Sequence, residues 1–185
     1  NEKLFNRIKT VWDNRSKENL SEEQQHLLKK TYDRFVRNGA LLDKDKKKQL
    51  KEVNQQLVSL NDKYNANVLA ETKNYKLVIT NKEDLKGLPQ WLIDNAAQTA
   101  KEQKQEGKWI FTLDNSSVLP FLTYSDNRSL RQQIFQARIN RGNNGNQYDN
   151  NKITEQILHL RAQMANILGY ENFASWQLEE RMAKT

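Results

Sequence analysis

Two histidines, His26 and His159, are the only imidazoles in this chain, and there is no cysteine. Any metal chemistry would therefore have to combine these with carboxylates. Glu155 and His159 stand four residues apart, so on a helix both side chains reach one face and could share a metal. A structural zinc takes four protein ligands and a catalytic one three plus water. No third ligand lies at useful spacing, so His159 is expected on a solvated helix face. His26 falls on the side opposite Leu28, Tyr32 and Phe35 and is expected in solvent as well. Neither histidine is followed by Glu. The H-E-x-x-H arrangement, two imidazoles one turn apart with a Glu to activate a metal-bound water, is thus missing.

Other chemistries are equally short of parts. Without cysteine there are no disulfides, thiolate nucleophiles or Cys-based metal sites. The string GNNG, Gly142 to Gly145, lacks both the spacing and the lysine of a phosphate loop. A G-x-S-x-G nucleophile turn is not found. The carboxylates are numerous but fall on polar helix faces, and none stands out as placed where burial would raise its pKa into the general-acid range. Taken alone, these residues support no catalytic role.

Composition narrows the class. Hydrophobic residues make up 36% of 185, and the mean hydropathy is −0.97. Long helices with much solvated surface, or a core completed by another segment, would both explain so polar a chain. Six Gly and two Pro are too few for a loop-rich chain, and the aromatic residues argue for packed structure. The formal charge of +7 raises nucleic-acid binding as a possibility. The basic residues are dispersed among acids and amides, however, and the one run, Lys44 to Lys48, lies at the start of a predicted helix. A solvated face accounts for it, and no nucleic-acid partner is expected. No window approaches the length of a membrane span, and no signal-peptide pattern occurs at Asn1.

The elements that would carry these residues are mostly helical. Leu4, Phe5, Ile8, Val11 and Trp12 have helical spacing. Ser21 with Gln24 forms a capping-box pattern opening a helix that Gly39 ends. The longest helix is predicted over residues 43–72, with Leu50, Val53, Leu57, Leu60 and Tyr64 as a narrow seam. That seam fades at Asn65 and Asn67, too short for a dimeric coiled coil, and packing within the chain is expected. Residues 75–80 and 108–113 read as two strands paired antiparallel, with Trp109, Phe111 and Leu113 facing a helix layer. Between them Pro89 opens a helix. Ser125 or Asp126 is expected to cap the helix of Leu130, Ile134, Phe135 and Ile139, and Asp149 or Asn150 that of Ile153, Ile157, Leu160, Met164 and Ile167. Gly142 and Gly145 punctuate the Asn-rich turn between these two helices. A last helix is expected from about Glu171.

Three strings carry a more specific signal: SVLPFLTYSDNRSLRQ (117–132), NRGNNG (140–145) and LGYENFASWQLEERMAKT (168–185). In this order they resemble the N-terminal half of the bacterial peptidyl-dipeptidases, dipeptidyl carboxypeptidases of the thimet-oligopeptidase family of zinc metallopeptidases. The resemblance spans nearly the whole chain and is weaker before Leu41. It implies a mainly α, multi-helix lobe with one small antiparallel strand pair, part of a two-lobed, zincin-like peptidase with a deep channel.

By that resemblance residues 1–185 are the N-terminal helical region of a larger enzyme, and the catalytic zinc region lies outside this chain. The whole protein would bind zinc and release dipeptides from the C-termini of short unstructured peptides. This segment would bind no zinc, would be inactive alone, and would pair with its own C-terminal catalytic region as part of the channel wall. A cytoplasmic location is expected, with the periplasm as the alternative. The turn from Arg141 to Tyr148 is expected at the channel rim, with Arg141, Asn143, Asn144 and Tyr148 as candidate peptide contacts; the competing reading is that its glycines simply satisfy turn geometry. Two other classes of function compete with this one: a stand-alone basic helical module for an acidic protein or nucleic acid, and a coiled-coil adaptor on the Leu50–Tyr64 seam.

Overall fold

Capping and helical periodicity account for most of the chain's architecture, described by a computed structural model over residues 1–183. Lys184 and Thr185, the end of the last family-like string, lie outside the described residues. The helices are α1 (Glu2–Asn14), α2 (Glu22–Arg37), α3 (Lys44–Asn74), α4 (Gln90–Glu102), α5 (Asn115–Tyr124), α6 (Arg128–Ile139), α7 (Asn151–Ile167) and α8 (Phe173–Leu178). Strands β1 (Leu77–Ile79) and β2 (Trp109–Phe111) form the sheet, and a 3-10 turn over Lys82–Leu85, not foreseen from sequence, follows β1. The fold is mainly α with one antiparallel strand pair, as expected. None of the described helices is long and apolar enough to cross a membrane. The chain divides into two compact units: Asn1–Leu60 with the chain from Gln156 onward, and Asn61–Glu155.

In the first unit the Ser21 capping box forms, with Ser21 Oγ accepting from the Gln24 N–H and Gln24 Oε1 from the Ser21 N–H. Aromatic stacking joins α1 to α2: Phe5 lies 5.9 Å from Tyr32 and 5.7 Å from Phe35, and Trp12 sits 4.5 Å from Tyr32. Leu50 and Val53 of α3 pack with Leu160 and Met164 of α7 in one cluster, with Leu57 and Leu60 against it. The α3 seam is therefore consumed inside the chain, which leaves a coiled-coil adaptor without its dimer face.

The second unit is built on the strand pair, with register Leu77↔Phe111, Val78↔Ile110 and Ile79↔Trp109. Both strands are shorter than their apolar runs, three residues each. Trp109, Phe111 and Leu113 pack against the helices as expected, and Ile110, between them in sequence, is buried too, at 1% exposure. Leu77, Ile79, Leu92, Phe111, Val118, Phe121 and Ile134 form the core. Phe135 and Ile139 stay largely exposed. Asn127, rather than Ser125 or Asp126, caps α6, its Oδ1 accepting from the Leu130 N–H. Ser125 instead closes α5, with its own N–H on the Phe121 carbonyl.

Candidate functional site

Within the second unit, the last turns of α3 meet the turn between α6 and α7, and the contact is polar. Leu50, Val53, Leu57, Leu60 and Tyr64 are spaced alternately three and four apart, and Asn67, Glu71 and Asn74 continue that spacing without a break. The seam does not fade at its C-terminal end; it changes from apolar to polar. Glu71 is buried at 8% exposure, which contradicts the expectation that every carboxylate lies on a solvated helix face.

Burial of a charged carboxylate requires donors, and the Asn-rich turn supplies them. Glu71 Oε2 accepts from the Gly142 N–H, Glu71 Oε1 from Asn146 Nδ2 at 2.6 Å, and Asn144 Nδ2 bridges both oxygens at 2.9 and 3.0 Å. Burial alone would push this carboxyl up, but the Asn144, Gly142 and Asn146 donors outweigh it and hold Glu71 below its ordinary range, with the nearby Asp149 charge acting against them. Gly142 has φ +77, and a Cβ there would come 2.7 Å from Asn150 Nδ2. A side chain at this position would spoil both the left-handed turn and the approach of its N–H to Glu71.

The turn is fixed from its far end too. Asn150 is 3% exposed; its Nδ2 donates to the Tyr64 carbonyl at 3.1 Å and its Oδ1 accepts from Asn67 at 2.9 Å. Asp149 Oδ1 accepts from the Asn151 N–H at 2.8 Å and Oδ2 from the Gly145 N–H at 2.9 Å. Those backbone donors lower the Asp149 carboxyl. Its bond to Asn151, the first residue of α7, makes Asp149 the residue that meets the free helix start.

Arg141, Asn144 and Tyr148 line a cavity of about 430 Å³ together with Glu71, Tyr75 and Asn146. Arg141 is oriented by two neutral acceptors, the Arg138 carbonyl to Nε and the Thr72 hydroxyl to Nη1, each at 2.9 Å. Asn144 is committed to Glu71. Asn143 is not on the cavity wall; its Oδ1 accepts from Asn151 Nδ2 at 2.8 Å. The structure thus brings three of the four sequence-derived residues together and engages the side chains of two of those three, Arg141 and Asn144, in internal bonds. Of the sequence-derived metal candidates, His26 is exposed, and His159 is exposed and bonded to Gln163. Among the described residues no three His, Asp or Glu side chains gather into a ligand set. The described residues thus offer no ligand set of the kind a catalytic zinc takes.

Comparison with known proteins agrees with the three family-like strings. The model of peptidase family M3 matches residues 121–185. Over 97% of its length the chain is 33% identical to a probable cytosolic oligopeptidase A of Arabidopsis thaliana. It is 32% identical over its whole length to a dipeptidyl carboxypeptidase of Escherichia coli, and 33% identical over 99% to an oligopeptidase A of Salmonella typhimurium. The chain spans only about a quarter of these relatives, 26%, 27% and 27% of their lengths. Matched across nearly all its residues by these relatives, the chain carries the pattern of peptidase family M3 in its last third.

Proposed function

We propose that this chain is the N-terminal helical region of a zinc metallopeptidase that releases dipeptides from the C-termini of short, unstructured peptides. The observation that carries the proposal is full-length similarity to a dipeptidyl carboxypeptidase, 32% over the whole chain, in a chain that spans a quarter of that relative. The activity then belongs to the complete protein, whose zinc and general base come from the region beyond this one. Here the helices act as scaffold: they form part of a channel wall against the catalytic region, and the wall admits extended peptides while excluding folded chains.

Within that wall the turn from Arg141 to Tyr148 sits at the rim and touches peptide. A turn on a substrate path must hold its shape without substrate, so that binding does not have to order it. The three donors gathered on Glu71, through four hydrogen bonds, support such rigidity.

The test uses the complete gene product and a peptide with a free C-terminus. Release of C-terminal dipeptides, blocked by a chelator and restored by zinc, is expected. Internal cleavage alone would move the reading to an oligopeptidase, and activity indifferent to chelation would refute the zinc assignment. For the rim, Asn143→Ala with Tyr148→Ala should change KM or peptide-length preference while zinc content stays intact. Unchanged kinetics with lowered thermal stability would make the turn purely structural.

A further inference from the structure

Arg138 lies in the last turn of α6, and Arg141 follows just beyond its end. Neither has a carboxylate within ion-pair distance among the described residues, where the pairs use Lys9, Lys29, Arg37, Lys47 and Lys86 instead. A guanidinium cannot shed its charge, so a partly buried one without a counter-charge is costly. Arg138 also has a buried Nη1 with no hydrogen-bond partner. Arg141 is aimed: neutral acceptors hold Nε and Nη1, which leaves Nη2 uncommitted on the cavity wall.

The only acid on that wall is Glu71, and both its oxygens are already filled by Gly142, Asn144 and Asn146. Tyr148 also lines the cavity and makes its hydrogen bond through the backbone N–H, to Asn146 Oδ1, so its phenol is left over. A pre-oriented cation and a spare phenol donor, beside a carboxylate that needs nothing more, make a receptor for a second carboxylate. The volume of about 430 Å³ falls in the range of small-ligand pockets.

We propose that this cavity receives the free C-terminal carboxylate of a short peptide, paired with the Arg141 guanidinium and hydrogen-bonded by the Tyr148 hydroxyl. Arg141 would then select for an unblocked C-terminus. The identity of the ligand rests on the peptidase reading above; the carboxylate chemistry rests on the cavity alone.

The experiment titrates the 185-residue chain with N-acetyl-Ala-Ala, with its C-terminal amide and with inorganic phosphate, following backbone amide and Arg Nε–H shifts. Saturable shifts at Arg141 and Tyr148 are expected with the acid, with the amide at least tenfold weaker. Arg141→Gln should abolish the preference for the acid, Arg141→Lys should retain part of it, and Tyr148→Phe should weaken the acid severalfold. Unchanged exchange protection at the Gly142 amide certifies that each variant keeps the turn. Equal binding of acid and amide, no saturable shift, phosphate binding as tightly as the acid, or a preference that survives Arg141→Gln would each overturn the proposal. These readouts need neither zinc nor hydrolysis. An inactive complete protein with intact acid preference would count against the peptidase reading only, and an active one without it against this inference only.

Discussion

Replacing Glu71 by Gln isolates what one buried carboxylate contributes to the turn between α6 and α7. The amide is nearly isosteric, so packing is retained, but it offers one oxygen where the carboxylate offers two. At present Oε1 meets Asn146 and Asn144, and Oε2 meets Gly142 and Asn144. Whichever way the Gln amide turns, its NH2 faces a donor, either the Gly142 N–H or the Asn146 amide. Hydrogen bonds to a charged group contribute about 1.5–3 kcal/mol each, and a buried donor left unpaired costs about 1–3 kcal/mol. Relief from burying a charge offsets part of that loss. The net expectation is a destabilisation of roughly 2–3 kcal/mol, read by urea unfolding, with faster exchange of the Gly142 amide. A loss below about 0.5 kcal/mol, the scale of an ordinary surface substitution, with Gly142 protection unchanged would refute the view that Glu71 organises the turn.

Further outcomes follow from the same geometry. Because the Glu71 carboxyl is lowered in the fold, its stabilisation is present in full above its unfolded pKa and is lost as pH falls through the folded one; the stability gap between wild type and Glu71→Gln should shrink on acidification, and a gap that widened would contradict the sign. Gly142→Ala should cost roughly 2–3 kcal/mol from strain and the 2.7 Å encounter with Asn150, whereas Gly145→Ala, with nothing within 4 Å of its Cβ, should cost about 1 kcal/mol from its φ of +63 alone; equal losses by thermal unfolding would contradict this. Arg37 bonds Glu179, Glu180 and the Trp176 carbonyl with only 15% of its side chain exposed, but both carboxylates are 40% or more exposed. Screening therefore limits Arg37→Ala to about 1–2 kcal/mol, and a loss above about 4 kcal/mol in chemical denaturation would show the pairing to be far less solvated.

Much of the fold could be read from local rules. The capping box at Ser21, the left-handed stop at Gly39 and the apolar run at Leu77–Ile79, with its β-branched Val78 and Ile79, each involve neighbours in sequence, so the pattern and its physical cause lie together. The burial of Ile110 could not be read that way: alternation assumes one wet face, and Ile110 is buried although its neighbour Phe111 is buried as well. The candidate site was half legible. Asn143, Asn144 and Gly145 announced a turn, but its acceptor, Glu71, is about seventy residues away in sequence. The available signal was the unbroken three-four spacing through Asn67, Glu71 and Asn74, which reads as loss of the seam when only apolar residues are counted. In this chain the polar continuation of the seam marks where the partner of α3 becomes the polar turn between α6 and α7.

Metal content and peptide cleavage, measured side by side on this chain and on the complete gene product, test the central assignment most directly. Both are dialysed, analysed for zinc, and incubated with a peptide whose C-terminus is free. The account predicts one zinc per molecule and chelator-sensitive dipeptide release for the complete protein, and neither for residues 1–185. Stoichiometric zinc or chelator-sensitive cleavage by the 185-residue chain alone, or a complete protein without zinc, would contradict it.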